Sequence, residues 1–152
     1  MATMQLEIIT AERQVYSGEV ELVVAPGIEG QLGILPHHAP LMTALQPGEI
    51  LIRTRGDETY LAVTGGFMEV IGNKVTVLAD ACERSDEIDE ARAQEAVERA
   101  GERLARQESD LQLERVVASM RRAQVRLNIA RRRRTRGGVR PGAGDSGAAA
   151  AP

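Results

Sequence analysis

Near residue 85 the hydrophobic period of this chain changes from two to about 3.6, and few single folds accept such a change. Before that point the apolar residues come in short alternating runs. Met4-Gln5-Leu6-Glu7-Ile8 and Val20-Glu21-Leu22-Val23-Val24 are two of them. Others are Ile50-Leu51-Ile52, Tyr60-Leu61-Ala62-Val63, Phe67-Met68-Glu69-Val70-Ile71 and Val75-Thr76-Val77-Leu78. Turn-forming residues separate the runs at Gly18, Pro26-Gly27, Pro47-Gly48, Arg55-Gly56-Asp57, Gly65-Gly66 and Gly72-Asn73. Short strands punctuated in this way predict a sandwich or barrel over residues 1–84.

After residue 85 the pattern becomes helical. Ala93, Ala96, Val97, Ala100 and Leu104 share one face. Asp86, Glu87 and Asp89 gather at the expected helix start, where acids complement the dipole. Glu95–Arg99 and Glu102–Arg106 are acid-first pairs four apart, the favourable order. Ser109-Asp110-Leu111-Gln112 reads as a capping box that opens a second helix, expected to run to about Arg134. A connection this short makes the two helices an antiparallel hairpin over residues 85–134. The second helix carries two apolar stripes. One holds Leu113, Val116, Met120, Ala123 and Leu127; the other holds Leu111, Ala118, Val125 and Ile129. One stripe can meet the first helix. The other needs the sandwich or another protein, which makes the pair a candidate for undocking and rebinding. Residues 135–152 are mostly Gly, Ala and Pro and are expected to be disordered. The fold class is thus α+β, mainly β: an N-terminal β-sandwich, then a C-terminal antiparallel α-helical hairpin.

Composition narrows the chemistry. Aromatic residues make up 2% of the chain, so the core is aliphatic and suits a thin sandwich better than a deep enzyme pocket. Cys82 is the single cysteine and reads as a small core residue. His37 and His38 are adjacent and have no further Cys or His near them in sequence, a poor metal site. No run approaches the roughly 20 apolar residues of a membrane span, and the start lacks the basic and apolar regions of a secretory signal. A cytoplasmic chain held at a membrane only by a partner is therefore expected. Charge is segregated. Residues 1–83 hold 4 basic and 11 acidic residues, and residues 84–134 hold 13 basic and 10 acidic. Two halves of opposite sign suggest different partners. A nucleic-acid adaptor would use the basic hairpin, but the acidic sandwich and the scarcity of stacking aromatics oppose it. A small enzyme using Cys82 or a histidine lacks a catalytic constellation.

Three segments resemble a known family. The longest is Glu29-Gly30-Gln31-Leu32-Gly33-Ile34-Leu35-Pro36-His37-His38-Ala39-Pro40-Leu41. Gly65-Gly66-Phe67-Met68-Glu69-Val70, with Val75-Thr76-Val77-Leu78-Ala79-Asp80, is the second, and Ile88-Asp89-Glu90-Ala91-Arg92-Ala93 the third. In this order they are similar to the epsilon subunits of bacterial F-type ATP synthases, over about residues 3–130. The resemblance implies a non-catalytic rotor and regulatory subunit of a proton-translocating synthase, peripheral on the cytoplasmic face of the cell membrane. It implies a sandwich between the gamma subunit and the c-ring. It further implies a hairpin that folds onto the sandwich or extends to the alpha and beta subunits and inhibits ATP hydrolysis. Gln31 stands where the family often has an acid. Residues 29–41 read first as a bent loop fixed by Gly30, Gly33, Pro36 and Pro40, and alternatively as a rotor contact.

The same resemblance implies a regulatory ATP site, with no cofactor otherwise required. Its residues here would be Glu83, Ile88, Asp89, Arg92, Ala93, Arg99, Arg122 and Arg126. Spacing alone places Arg92 and Arg99 on one stripe, and Arg122 and Arg126 on another. In an antiparallel hairpin Arg92 lies level with Arg126, and Arg99 with Arg122. Four guanidiniums at two levels could meet a polyphosphate. Asp89 reads equally as a helix cap, and the arginines as solvated or paired with Glu95, Glu98 or Glu102. Arg131-Arg132-Arg133-Arg134 is either a solvated run or, by the resemblance, a contact with an acidic stretch of the beta subunits that weakens in salt.

Overall fold

The computed structural model describes residues 2–106 and 110–137, with side chains described except at 110–111 and 134–137. Ten strands come first: β1 Met4–Ile9, β2 Gln14–Val20, β3 Leu22–Gly27, β4 Gly30–Ile34 and β5 Leu41–Leu45. They continue with β6 Gly48–Thr54, β7 Asp57–Val63, β8 Gly66–Ile71, β9 Lys74–Ala79 and β10 Cys82–Arg84. Two helices follow, α1 Glu90–Ala105 and α2 Asp110–Gly137. The strands form one hydrogen-bonded path in the order β10-β7-β6-β3-β5-β8-β9-β1-β2, with β4 on β3. The path is thin at one point, where β3 meets β5 through Gly27 opposite Leu45. There it folds over, so that β6 and β7 form one layer and β8, β9 and β1 the other. All pairings are antiparallel except β1 with β9, where Leu6 lies beside Val75 and Ile8 beside Val77.

Alternation explains the burial. Met4, Leu6 and Ile8 point inward on β1, Ile50 and Ile52 on β6, and Val75 and Val77 on β9. Neighbouring side chains point out, as the period of two requires. The core is aliphatic, consistent with the scarcity of aromatics.

Several boundaries differ from expectation. Val20–Val24 is not one strand, because the chain bends at Glu21 between β2 and β3. Gly18 lies inside β2, opposite Leu6, rather than in a turn. Pro26 and Gly27 lie in β3. Within the segment 29–41, Gly30–Ile34 is strand β4, paired with β3 from Val23–Ile34 to Gly27–Gly30. Leu41 begins β5, and only residues 35–40 form a bent loop. There His37 takes a positive φ of 64°, and its N–H donates to Asn73 Oδ1 at 2.8 Å. Asn73 Nδ2 in turn donates to the Thr3 carbonyl at 2.9 Å. One asparagine thus ties this loop to the β8–β9 turn and to the start of β1.

Helix α1 is capped by Asp89, whose carboxylate accepts the Arg92 N–H at 3.2 Å, satisfying one of the four orphan donors of a helix start. Helix α2 packs along α1 and lies against β6 and β7. Both of its apolar stripes are used: Val116, Ala123 and Leu127 are buried, and so are Ile129 and Ala130. Leu113 and Val117, near the hairpin tip, are exposed. Ser109 of the expected capping box and the tail 138–152 lie outside the described residues.

Candidate functional site

A second, smaller core joins the hairpin to the sandwich. It contains Ala62 of β7, Ile88 of the connecting segment, Ala93 of α1, and Leu127, Ile129 and Ala130 of α2. Strand β10 pairs with β7 so that Glu83 lies opposite Ala62. These two residues alternate with Cys82 and Val63, which belong to the sandwich core. Glu83 and Ala62 therefore face the helices. Because Ala62 and Ala96 are small, a cavity of about 270 Å³ remains between the two parts, lined also by Glu83, Ser119, Arg122 and Arg126. Arg126 forks onto Glu83, with Nε 2.6 Å from Oε2 and Nη2 3.1 Å from Oε1. Such a two-point pair fixes direction as well as distance.

The sequence-predicted residues divide accordingly. Glu83, Arg122 and Arg126 share the cavity. Ile88 and Ala93 are buried beside it. Asp89 is the cap of α1. Arg92 is 82% exposed, with its Nε 4.0 Å from the Asp89 carboxylate. Arg99 is exposed on α1, and neither Arg92 nor Arg99 lines the cavity. Two of the four guanidiniums therefore converge there, and one of those two is already engaged by a carboxylate.

The end of α2 holds contacts that the sequence reading left open. Arg132 donates to Glu49 Oε1 at 2.5 Å, and its guanidinium stands 5.0 Å from the centre of the Tyr60 ring, within cation–π range. Arg131 donates to Gln94 Oε1 at 2.7 Å. Arg133 donates to the carbonyls of Ser85 and Ile88. These arginines are neither wholly solvated nor directed only at another molecule, because they hold α2 to α1 and to the sandwich. The opposite charges of the two halves were the visible signal; the particular pairs were not.

Cys82 is buried, and burial pushes its thiol up to about 12, which leaves almost no thiolate near neutrality. His38 Nδ1 lies 2.7 Å from the Ala39 carbonyl, and no group of three or more His, Cys, Asp or Glu suited to a metal occurs among the described residues. The layer away from the hairpin shows an apolar face instead. Phe67 and Leu78, direct partners across β8 and β9, are 54% and 55% exposed, and Met42 of β5 is 71% exposed. No helix among the described residues is long and apolar enough to cross a membrane.

A sandwich with exposed apolar side chains on one layer and a helical pair packed on the other is the arrangement of an assembly subunit. Residues 3–85 match the family model of the ATP synthase delta/epsilon chain β-sandwich domain, and residues 86–131 that of its long α-helix domain. The chain belongs to the epsilon subunits of F-type ATP synthases, which are not the catalytic subunits. It is 53% identical over 135 residues to an ATP synthase epsilon chain of Dehalococcoides mccartyi, covering 88% of this chain and 96% of that one. It is 51% identical over 133 residues to that of Herpetosiphon aurantiacus, with 88% and 98% covered. A chain of the Euglena gracilis mitochondrial ATP synthase shares the fold, with a TM-score of 0.73 at 18% identity over 82% of this chain and 79% of that one.

Proposed function

We propose that this subunit joins the rotor through its sandwich and regulates the enzyme through its hairpin. The exposed Phe67 and Leu78, adjacent across β8 and β9 with Met42 on the same face of β5, would meet the gamma subunit, since grouped exposed apolar side chains mark interaction sites. The c-ring would meet the sandwich elsewhere and hold it at the cytoplasmic face of the cell membrane. The hairpin is docked here. Its release would free α2 and its arginines for the alpha and beta subunits, where it would restrain ATP hydrolysis.

One observation supports an ATP-sensing role: the cavity between sandwich and hairpin, with Arg122 and the Arg126–Glu83 pair on its wall. That space exists only while the two parts are together. A ligand filling it would favour the docked state by its difference in affinity for the two states. At about 270 Å³ it lies near the lower edge of ligand pockets. It suits part of a nucleotide, with the phosphates reaching outward past Arg122 and Arg126. The Arg126 fork would then be shared with, or taken from, Glu83.

Calorimetric titration of the full chain with ATP tests this, beside Arg122→Ala and Arg126→Ala variants and with ADP and GTP as competitors. Saturable binding that either variant loses is the expected result. Absence of heat at millimolar ATP from folded protein would remove the sensor role. The epsilon subunit would then be a coupling piece whose hairpin answers to other signals.

A further inference from the structure

The segment that links sandwich and hairpin is gripped from both sides by arginine. Residues 84–88 form a closed turn: Ser85 N–H donates to the Tyr60 carbonyl at 3.0 Å and Glu87 N–H to the Arg84 carbonyl at 3.0 Å. The Arg84 N–H returns to Glu87 Oε2 at 3.2 Å. On the sandwich side, Arg13 forks onto Glu87 with Nη2–Oε2 of 2.9 Å and Nη1–Oε1 of 3.4 Å. Arg13 itself is aimed by the β1–β2 turn. There Thr10 Oγ1 accepts the N–H groups of Glu12 and Arg13 at 3.3 and 3.2 Å, and Thr10 N–H donates to the Arg13 carbonyl at 2.9 Å. On the hairpin side, Arg133 donates to the carbonyls of Ser85 and Ile88. Every residue of this turn but Asp86 therefore has a backbone or side-chain tie to the sandwich or to α2.

We infer that Arg13 and Arg133 form a two-sided hinge lock: Arg13 fixes the pivot to the sandwich through Glu87, and Arg133 fixes the end of α2 to the pivot. This rests on the reading that the hairpin leaves the sandwich. Any such motion must turn the chain within residues 85–89, because β10 ends at Arg84 and α1 begins at Glu90. Outward rotation of α2 carries the Arg133 guanidinium away from the two carbonyls. A loosened Glu87 lets the turn itself unwind. The lock is separate from the cavity, since none of Arg13, Glu87 and Arg133 lines it. It therefore sets the balance of docked and released hairpin without nucleotide.

The test measures distances between spin labels at Glu69→Cys on the sandwich and Glu102→Cys near the hairpin tip, both exposed positions, in the full chain carrying Cys82→Ala. The parent should give one distance. Arg13→Ala, Glu87→Gln and Arg133→Ala should each raise a second, longer distance by about fivefold. Arg13→Ala/Glu87→Gln should match the single variants rather than their product, because the two residues act as one unit. Arg126→Ala/Arg132→Ala, which weakens the docking face but leaves the pivot intact, is the reference. If the reference opens and the three hinge variants keep the parental distribution, the lock is wrong and the mobile hairpin stands. If no variant opens, the reference in high salt included, both readings fail. Glu87→Gln keeps the side-chain volume at an exposed site, so loss of folding does not mask the result.

Discussion

Gly66 takes a φ of 134°, and a Cβ built there would lie 2.1 Å from the Leu78 carbonyl oxygen. Backbone strain and a backbone clash coincide, so Gly66→Ala is expected to lower sandwich stability by about 3 kcal/mol, measured as a shift of the denaturant midpoint. This gives a physical reason for one glycine of the Gly-Gly-Phe segment. Glu87 offers a different kind of test. Hydrogen bonds from Arg13, then from the Arg84 N–H, hold its carboxyl below the ordinary value of 4.5. A depressed folded-state value contributes stability above the unfolded value and loses it as pH falls through the folded one. Wild type should therefore exceed Glu87→Gln in unfolding midpoint near neutrality, and the two should converge below about pH 3. Persistence of the difference in strong acid would mean that packing, not charge, carries it.

At the scale of the element, the hairpin rests on a small apolar contact around Ala62, supplemented by ion pairs. Exposed pairs contribute about 0–1 kcal/mol each, whereas the Arg126–Glu83 fork is partly buried, with side chains 29% and 40% exposed. Ala93→Leu, at a fully buried position of the same small core that does not line the cavity, would crowd Ile88, Leu127 and Ile129, and overpacking of this kind costs about 1–3 kcal/mol. Hydrogen exchange should then rise in α2 while the sandwich strands stay protected. Equal acceleration in both would show that the two parts unfold together. Much of this division was legible in advance. The change of period separated strands from helices, and Asp89 at the head of Ala93, Ala96 and Ala100 marked the start of α1. Strand β4 was not legible, because Gly30-Gln31-Leu32-Gly33-Ile34 has turn-like composition and becomes a strand only by pairing with β3. The site was half legible. Stripe arithmetic brought Arg122 and Arg126 together, but helix rotation decides which stripe faces the sandwich. That rotation depends on Ile129 and Leu127 entering a core built partly by Ala62, a residue remote in sequence.

For the whole molecule, the two faces of the sandwich differ in what covers them. One layer carries the hairpin; the other exposes Phe67, Leu78 and Met42. Phe67→Ser/Leu78→Ser is expected to leave the melting of the isolated subunit nearly unchanged, since surface changes are usually within about ±0.5 kcal/mol. Its recovery with the synthase in pull-downs should drop severalfold; undiminished recovery would place the rotor contact elsewhere. The parallel pairing of β1 with β9 has a consequence during synthesis. The first strand can pair at once with β2, but its other neighbour arrives some seventy residues later, from Gln5 beside Lys74 to Ile9 beside Leu78, and such non-local closure is slow. A nascent chain emerging from the ribosome cannot complete its sandwich until β9 is free of the exit tunnel. The hairpin follows β9 in the chain, so it meets a platform already able to close.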